Sequence, residues 1–180
     1  MKDCFKILGW SLLYSVAVFV GMMAGFFHPF LWVYNAILTS LLAAWPYFRI
    51  VKGWPMAGIT LCPLVLSIVL NLLMGEGDWL YVVLAVIIGL ATEIVRKVCG
   101  DYRSRKSLIG GYMVFALLPF ANTLRMWIWP EASMVQTVEE MGQAYADQMG
   151  SVIQPWVLSI GFVLTLFISW LCGNFFAKKH

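Results

Sequence analysis

Apolar runs about as long as a bilayer is thick recur six times along this chain, at residues about 7–27, 30–50, 56–74, 79–95, 108–129 and 154–176. A spanning helix needs ~20 mostly apolar residues, and a helix satisfies its own backbone polar groups where no water can. Polar or proline-bearing breaks separate the runs: His28-Pro29, Lys52-Gly53-Trp54-Pro55, Gly75-Glu76-Gly77-Asp78, residues 96–106 and residues 130–153. With 62% apolar and only 12% charged residues, the chain falls well below the ~25% charge of a soluble domain. The expected fold is all-α: a single integral membrane domain, residues 1–180, with six transmembrane helices. The first run is too long for the ~7–15-residue apolar region of a signal peptide and ends at Phe26-Phe27-His28-Pro29 instead of a small-residue cleavage site. It reads as a retained span.

Charge gives the runs a direction. With the N-terminus inside, the inner side holds Lys2, Lys6, Arg49, Lys52, Arg96, Lys97, Arg103, Arg105, Lys106, Lys178 and Lys179, which is 11 of the 12 basic residues. Cytoplasmic loops carry this excess in membrane proteins. The outer segments hold Glu76, Asp78, Glu131, Glu139, Glu140 and Asp147 and no lysine. Tryptophans cluster at both sets of span ends, as interfacial belts do. The expectation is a plasma-membrane protein with both termini cytoplasmic. Its four cysteines (Cys4, Cys62, Cys99, Cys172) then avoid the outer face and show no CxxC or metal-type spacing, so neither a disulfide nor a metal site is expected.

The catalytic inventory is thin. There are two histidines and no HExxH, GxSxG, P-loop or paired intramembrane carboxylate, which argues against an enzyme and against a bound cofactor. Nothing points to nucleic acid as a partner. Intramembrane charge is costly, so Glu93 and Arg125 stand out. Glu93 is spaced to pair with Arg96 and Lys97 one turn on. Arg125 either snorkels to outer headgroups, pairs with an outer acid such as Glu131, or sets a fixed charge at the floor of an outward-facing pocket. Pro119 tends to kink the fifth run, and Asn122, Arg125 and Trp129 follow at i, i+3 and i+7 on one face. Asn71, with Glu76 and Trp79 just beyond it, lies at a similar outer depth. A few polar groups among aromatic walls is how small-molecule sites are built. Asn71, Glu76, Trp79, Asn122, Arg125 and Trp129 are therefore the candidate ligand-binding residues. Six outer acids favour a cation or neutral solute, whereas Arg125 suits a carboxylate or phosphate, and the substrate's charge stays open.

Between the fifth and sixth runs, Ser133-Met134-Val135-Gln136 has a capping-box pattern and Gly150 can end a helix. Met134, Val138, Met141, Tyr145 and Met149 form an apolar stripe opposite Gln136, Glu139, Glu140, Gln143 and Asp147. Without Lys or Arg on its polar face this amphipathic outer helix is unlike a lipid-surface helix. It reads as a lid or a packed loop over protein. Small residues repeat every four positions at Ala17, Gly21 and Gly25, at Ala36, Ser40 and Ala44, and at Gly161, Thr165, Ser169 and Gly173. Such stripes let helix backbones approach closely.

Six spans with both ends inside, a small-residue stripe on the first and an outer loop helix resemble the substrate-binding (S) subunits of energy-coupling factor (ECF) transporters. The second half is similar to the Trep_Strep-type S-component family, at Met74-Gly75-Glu76-Gly77, at residues 89–96 followed by Gly100-Asp101-Tyr102-Arg103-Ser104-Arg105-Lys106, at residues 141–156, and at residues 173–179. The first 70 residues match only in general character. The resemblance implies capture of a small nutrient, a vitamin or a metal ion, from outside. A membrane-embedded coupling subunit and two ABC-type ATPase subunits would then drive it inward, with the S subunit toppling in the bilayer. It also implies that Ala17, Gly21 and Gly25 face the coupling subunit, although Gly replaces the commoner second Ala. The competing classes are a self-sufficient secondary transporter or channel acting as an oligomer, and a non-transporting scaffold. Against the transporter, the chain has no inverted repeat and no buried acid fit to relay protons.

Overall fold

The computed structural model describes residues 2–75 and 77–178, so Glu76 lies outside the described residues. Every regular element among them is a helix: α1 (Lys2–Met23), α2 (Pro29–Val33), α3 (Asn35–Leu42), α4 (Ala44–Gly53), α5 (Leu61–Leu73), α6 (Trp79–Val98), α7 (Arg105–Phe115), α8 (Phe120–Ile128), α9 (Pro130–Met141), α10 (Gln143–Val152) and α11 (Pro155–Phe176). Three segments are long and apolar enough to cross a bilayer in one piece: Lys2–Phe26, which adds a 3-10 turn to α1, then α6 and α11, of 25, 20 and 22 residues. A fourth is the pair α7 and α8, bent by 42°. Six spans were expected, the fifth of them kinked at Pro119. Instead the second run is divided into α2, α3 and α4, and the third is the 13-residue α5.

Proline explains most of these breaks. A proline lacks an N–H and its ring crowds the carbonyl four residues back. Pro46 places that conflict at Leu42, where α3 stops, and Pro119 places it at Phe115, where α7 stops. Pro29, Pro130 and Pro155 stand in the first turn of α2, α9 and α11, where no N–H is needed. The bend expected at Pro119 is therefore present, one helical turn ahead of the residue that causes it.

The helices close into a ring. α1 packs on α5, α5 on α6, α6 on α7, α7 on α11, α11 on α3, and α3 returns to α1. The surface is apolar where that of a water-soluble protein is polar. Leu8, Leu12, Val16 and Val20 on α1, Val86, Ile87, Leu90 and Ile94 on α6, and Val163 and Phe167 on α11 are exposed, while Ser11, Ser15, Asn35, Thr39, Ser67, Thr92, Thr165 and Ser169 are buried. An apolar coat over a small-residue interior is the arrangement for which hydrocarbon is the solvent. An aromatic cluster fills the ring's centre, with Tyr47 at 4.9 Å from Tyr112 and 5.3 Å from Phe115, which in turn meets Tyr14 at 5.2 Å. Glu93 pairs with the buried Arg96 at 2.9 Å and accepts from the Gly58 amide at 3.0 Å, fastening the lead-in of α5 to α6. The pairing was expected; the contact with Gly58 was not.

The small-residue stripes face inward. A Cβ on Gly21 would fall 3.0 Å from the Thr39 backbone of α3, and one on Gly25 would strike the ring of Trp32. Gly21→Ala should therefore cost about 1–3 kcal/mol through overpacking. Gly9→Ala, where nothing lies within 4 Å, should leave stability unchanged or slightly raised. Thermal unfolding of the two variants in one detergent compares them directly.

Candidate functional site

At the end of the ring that carries Asp78, the last turn of α1, Trp32 of α2, the end of α5, α8, α9 and α10 enclose a cavity of about 80 Å³. One water needs about 10–15 Å³, so this is room for a small solute. Its walls hold six of the chain's ten methionines, Met22, Met23, Met74, Met126, Met141 and Met149, together with Phe19, Phe26 and Trp32.

Two polar constructions interrupt that wall. The first is a chain of amides. Asn71 Nδ2 donates to the Ser67 carbonyl at 3.0 Å, which leaves Asn71 Oδ1 to accept from Asn122 Nδ2 at 3.4 Å. Asn122 Oδ1 is then a buried acceptor without a partner, as is the hydroxyl of Ser133. An unmet buried polar atom costs about 1–3 kcal/mol, and Ser11, Asn35, Thr39 and Thr123 carry such atoms elsewhere in the bundle. The second is built on Arg125. Its Nε lies 2.8 Å from Asp78 Oδ2, and its Nη2 donates to Gln136 Oε1 at 2.6 Å. Gln136 Nε2 donates onward to Glu140 Oε1 at 2.6 Å. Asp78 also caps α6, with Oδ1 accepting from the Tyr81 amide at 2.9 Å. One guanidinium thus joins the start of α6, the body of α8 and the middle of α9. The acid it meets is Asp78; Glu131, the sequence-based alternative, is exposed on the first turn of α9.

Two helices cover the cavity where one was expected. α9 begins at Pro130, so Ser133 lies inside it and is no N-cap, and Gly142, with φ of 86°, separates α9 from α10. α9 also turns a different face inward than its apolar stripe suggested. Ser133, Gln136, Thr137, Glu140 and Met141 line the cavity, a set spaced i, i+3, i+4, i+7 and i+8. Sequence reasoning had placed Gln136 and Glu140 on the outer face; their spacing with Ser133 and Thr137 was the available signal. On α10, Tyr145 Oη donates to the Gly25 carbonyl at 2.5 Å, and Met149 is buried.

Of the residues expected to bind ligand, Asn71, Asn122 and Arg125 come together in this wall. Trp79 and Trp129 do not line it and instead pack edge to face at 5.1 Å. Glu76 is outside the described residues. Of the stripe expected to meet a coupling subunit, Gly21 and Gly25 are covered by Thr39 and Trp32 of the same chain, and Ala17 is half-buried. At the opposite end, Lys52, Arg103, Arg105 and Lys178 border a second hollow. There Lys52 Nζ donates to the Phe176 carbonyl at 3.2 Å and Arg105 to Asn174 Oδ1 at 2.7 Å.

A family model described as hypothetical bacterial integral membrane protein (Trep_Strep) matches residues 1–180, including the first 70 residues, where the resemblance was general. No curated protein and no solved structure matches the chain.

Because Arg125 is the only side chain seen to hold α9 to both α6 and α8 among the described residues, Arg125→Met should loosen α9 by about 1–3 kcal/mol. Hydrogen exchange of the α9 amides should accelerate accordingly while α6 and α11 keep their protection.

Proposed function

Since this chain belongs to the Trep_Strep family of bacterial integral membrane proteins, we propose that it is a solute-capturing subunit of an ECF-type importer. It binds a small nutrient from outside and hands it inward together with a coupling membrane subunit and two ABC-type ATPase subunits. The observation that carries this reading is the cavity. Adaptable methionine and aromatic walls, a few fixed polar groups and a two-helix cover anchored at Gln136 and Tyr145 make a small-molecule site.

In this reading all six helical columns cross the plasma membrane, α2 to α4 forming one and α7 with α8 another. Asp78 and the cavity face outward, while Lys52, Arg103, Arg105 and Lys178, gathered at the other end, face the cytoplasm with both termini, in keeping with the positive-inside rule. Transport needs an energy source, and the sequence carries neither a nucleotide-binding motif nor a proton relay. A driving partner supplies it. With Gly21 and Gly25 turned inward, the face of α1 left for that partner carries Leu8, Leu12, Val16 and Val20, all exposed, beside Ala17.

Purified under mild detergent, the tagged chain should bring down one coupling subunit and two ATPases, and solute uptake should require all of them. Uptake by the purified chain alone in liposomes would instead identify a self-sufficient transporter. In a variant retaining only Cys4, a membrane-impermeant maleimide should label permeabilised but not intact cells, whereas Glu139→Cys in a cysteine-free background should label intact cells. The reverse pattern would overturn the orientation.

A further inference from the structure

We propose that the hollow at the other end of the ring binds a phosphate group, carried by an anionic lipid headgroup or by a soluble phosphate compound. This inference goes beyond solute capture and uses none of the cavity's residues.

Four cations reach this hollow from separate parts of the chain: Lys52 from the last turn of α4, Arg103 and Arg105 from the approach to α7, and Lys178 from just beyond α11. Among the described residues no Asp or Glu lines it, so its wall carries like charges that an anion relieves. Two of the four are held in place. Lys52 Nζ donates to the Phe176 carbonyl at 3.2 Å and to the Lys178 carbonyl at 3.4 Å, which leaves one of its N–H donors over. Arg105 Nη2 donates to Asn174 Oδ1 at 2.7 Å, and Asn174 Nδ2 donates in turn to the Trp170 carbonyl at 2.9 Å. A backbone carbonyl thus aims the Arg105 fork. The side chains of Arg103 and Lys178 are exposed and make no hydrogen bond or ion pair among the described residues, which leaves them to close on a bound group.

Size and chemistry select the anion. The hollow measures about 700 Å³, within the ~300–1,000 Å³ of ligand sites. Tyr102 forms one wall, its ring backed by the Arg96 guanidinium at 4.9 Å, and Val51 and Leu108 make an apolar floor. A lone carboxylate is matched by one guanidinium and would leave the other cations uncompensated. A phosphate presents several charged acceptor oxygens at once, which guanidinium forks meet in pairs while lysines add point charge beside them. On the orientation proposed above, this end meets both the inner leaflet, where anionic headgroups collect, and the cytosol.

Two probes on the full chain separate the sources. Native mass spectrometry from micelles doped equally with phosphatidylcholine and phosphatidylglycerol reads the lipid, and calorimetric titration of inorganic pyrophosphate into phosphatidylcholine nanodiscs reads the soluble anion. At least one probe should bind saturably. Arg103→Gln combined with Lys178→Gln should weaken that binding about thirtyfold, at about fivefold per charge. Lys2→Gln combined with Lys6→Gln removes two exposed charges at the start of α1 and should leave it unchanged. A retained phosphatidylglycerol with pyrophosphate inert assigns the headgroup, and the reverse assigns a soluble phosphate. Binding of neither probe would overturn the proposal, as would an equal loss in both double variants, which marks diffuse surface charge. Neither result touches solute capture, which the co-purification and uptake measurements decide.

Discussion

Inside a bilayer an apolar side chain gains little by leaving lipid for protein, so helices hold together only where their backbones approach closely or hydrogen bonds cross between them. This chain meets that constraint with glycine, serine and threonine placed where the columns touch. Gly21 meets Thr39, Gly173 meets Ile109, and Gly89 receives the side chain of Leu64. Between those contacts, Ser15 and Ser67 share a hydrogen bond of 2.9 Å and Tyr112 donates to the Ser40 carbonyl. The ring of helices is therefore narrow where small residues repeat, and it can widen only where the repeats give way to larger side chains. The cavity lies at such a place, beyond Gly21 on α1 and beyond Ser67 on α5.

Proline shapes the rest. The bend ahead of Pro119 divides one column into two helices that share α6 but differ in their second neighbour: α7 packs between α6 and α11, whereas α8 packs on α6 and α9. That change of partner brings Asn122 opposite Asn71 and Arg125 opposite Asp78. Asp78 in turn is available because a residue that caps α6 must stand at its first turn. The arrangement of the site thus follows from two local rules, a proline that ends one helix and an aspartate that begins another, acting on columns already held in place.

Much of this was legible in the sequence, and the parts that were not have physical reasons. The ends of α6 and α11 were readable to within three residues because continuous apolar runs bounded by Asp78 and by Pro155 leave little choice. Asn71, Asn122 and Arg125 stood out because polar groups at the ends of apolar runs are expensive. The division of the second run was missed because apolarity alone counts residues, while the breaks come from Pro46 and from turns that hydropathy does not register. On α9 the usual inference, apolar face inward, failed because what lies beneath it is a polar-lined hollow, not a hydrophobic core. Glu131 was the nearest acid to Arg125 along the chain; Asp78 is the nearer one in space, and sequence distance does not report contacts between helices.

Gly142 sits between two helices that are tied down at different places. α9 is fastened through Gln136 to α8, and α10 through Tyr145 to the turn after α1. With Gln136 six residues before Gly142 and Tyr145 three after it, the fastenings stand on either side of the joint and hold both helices over the hollow. The residue beside that joint and over the hollow is Met141, an unbranched side chain with three rotatable bonds. Beside a joint held this closely, the rotamer of Met141 sets the width left over the hollow.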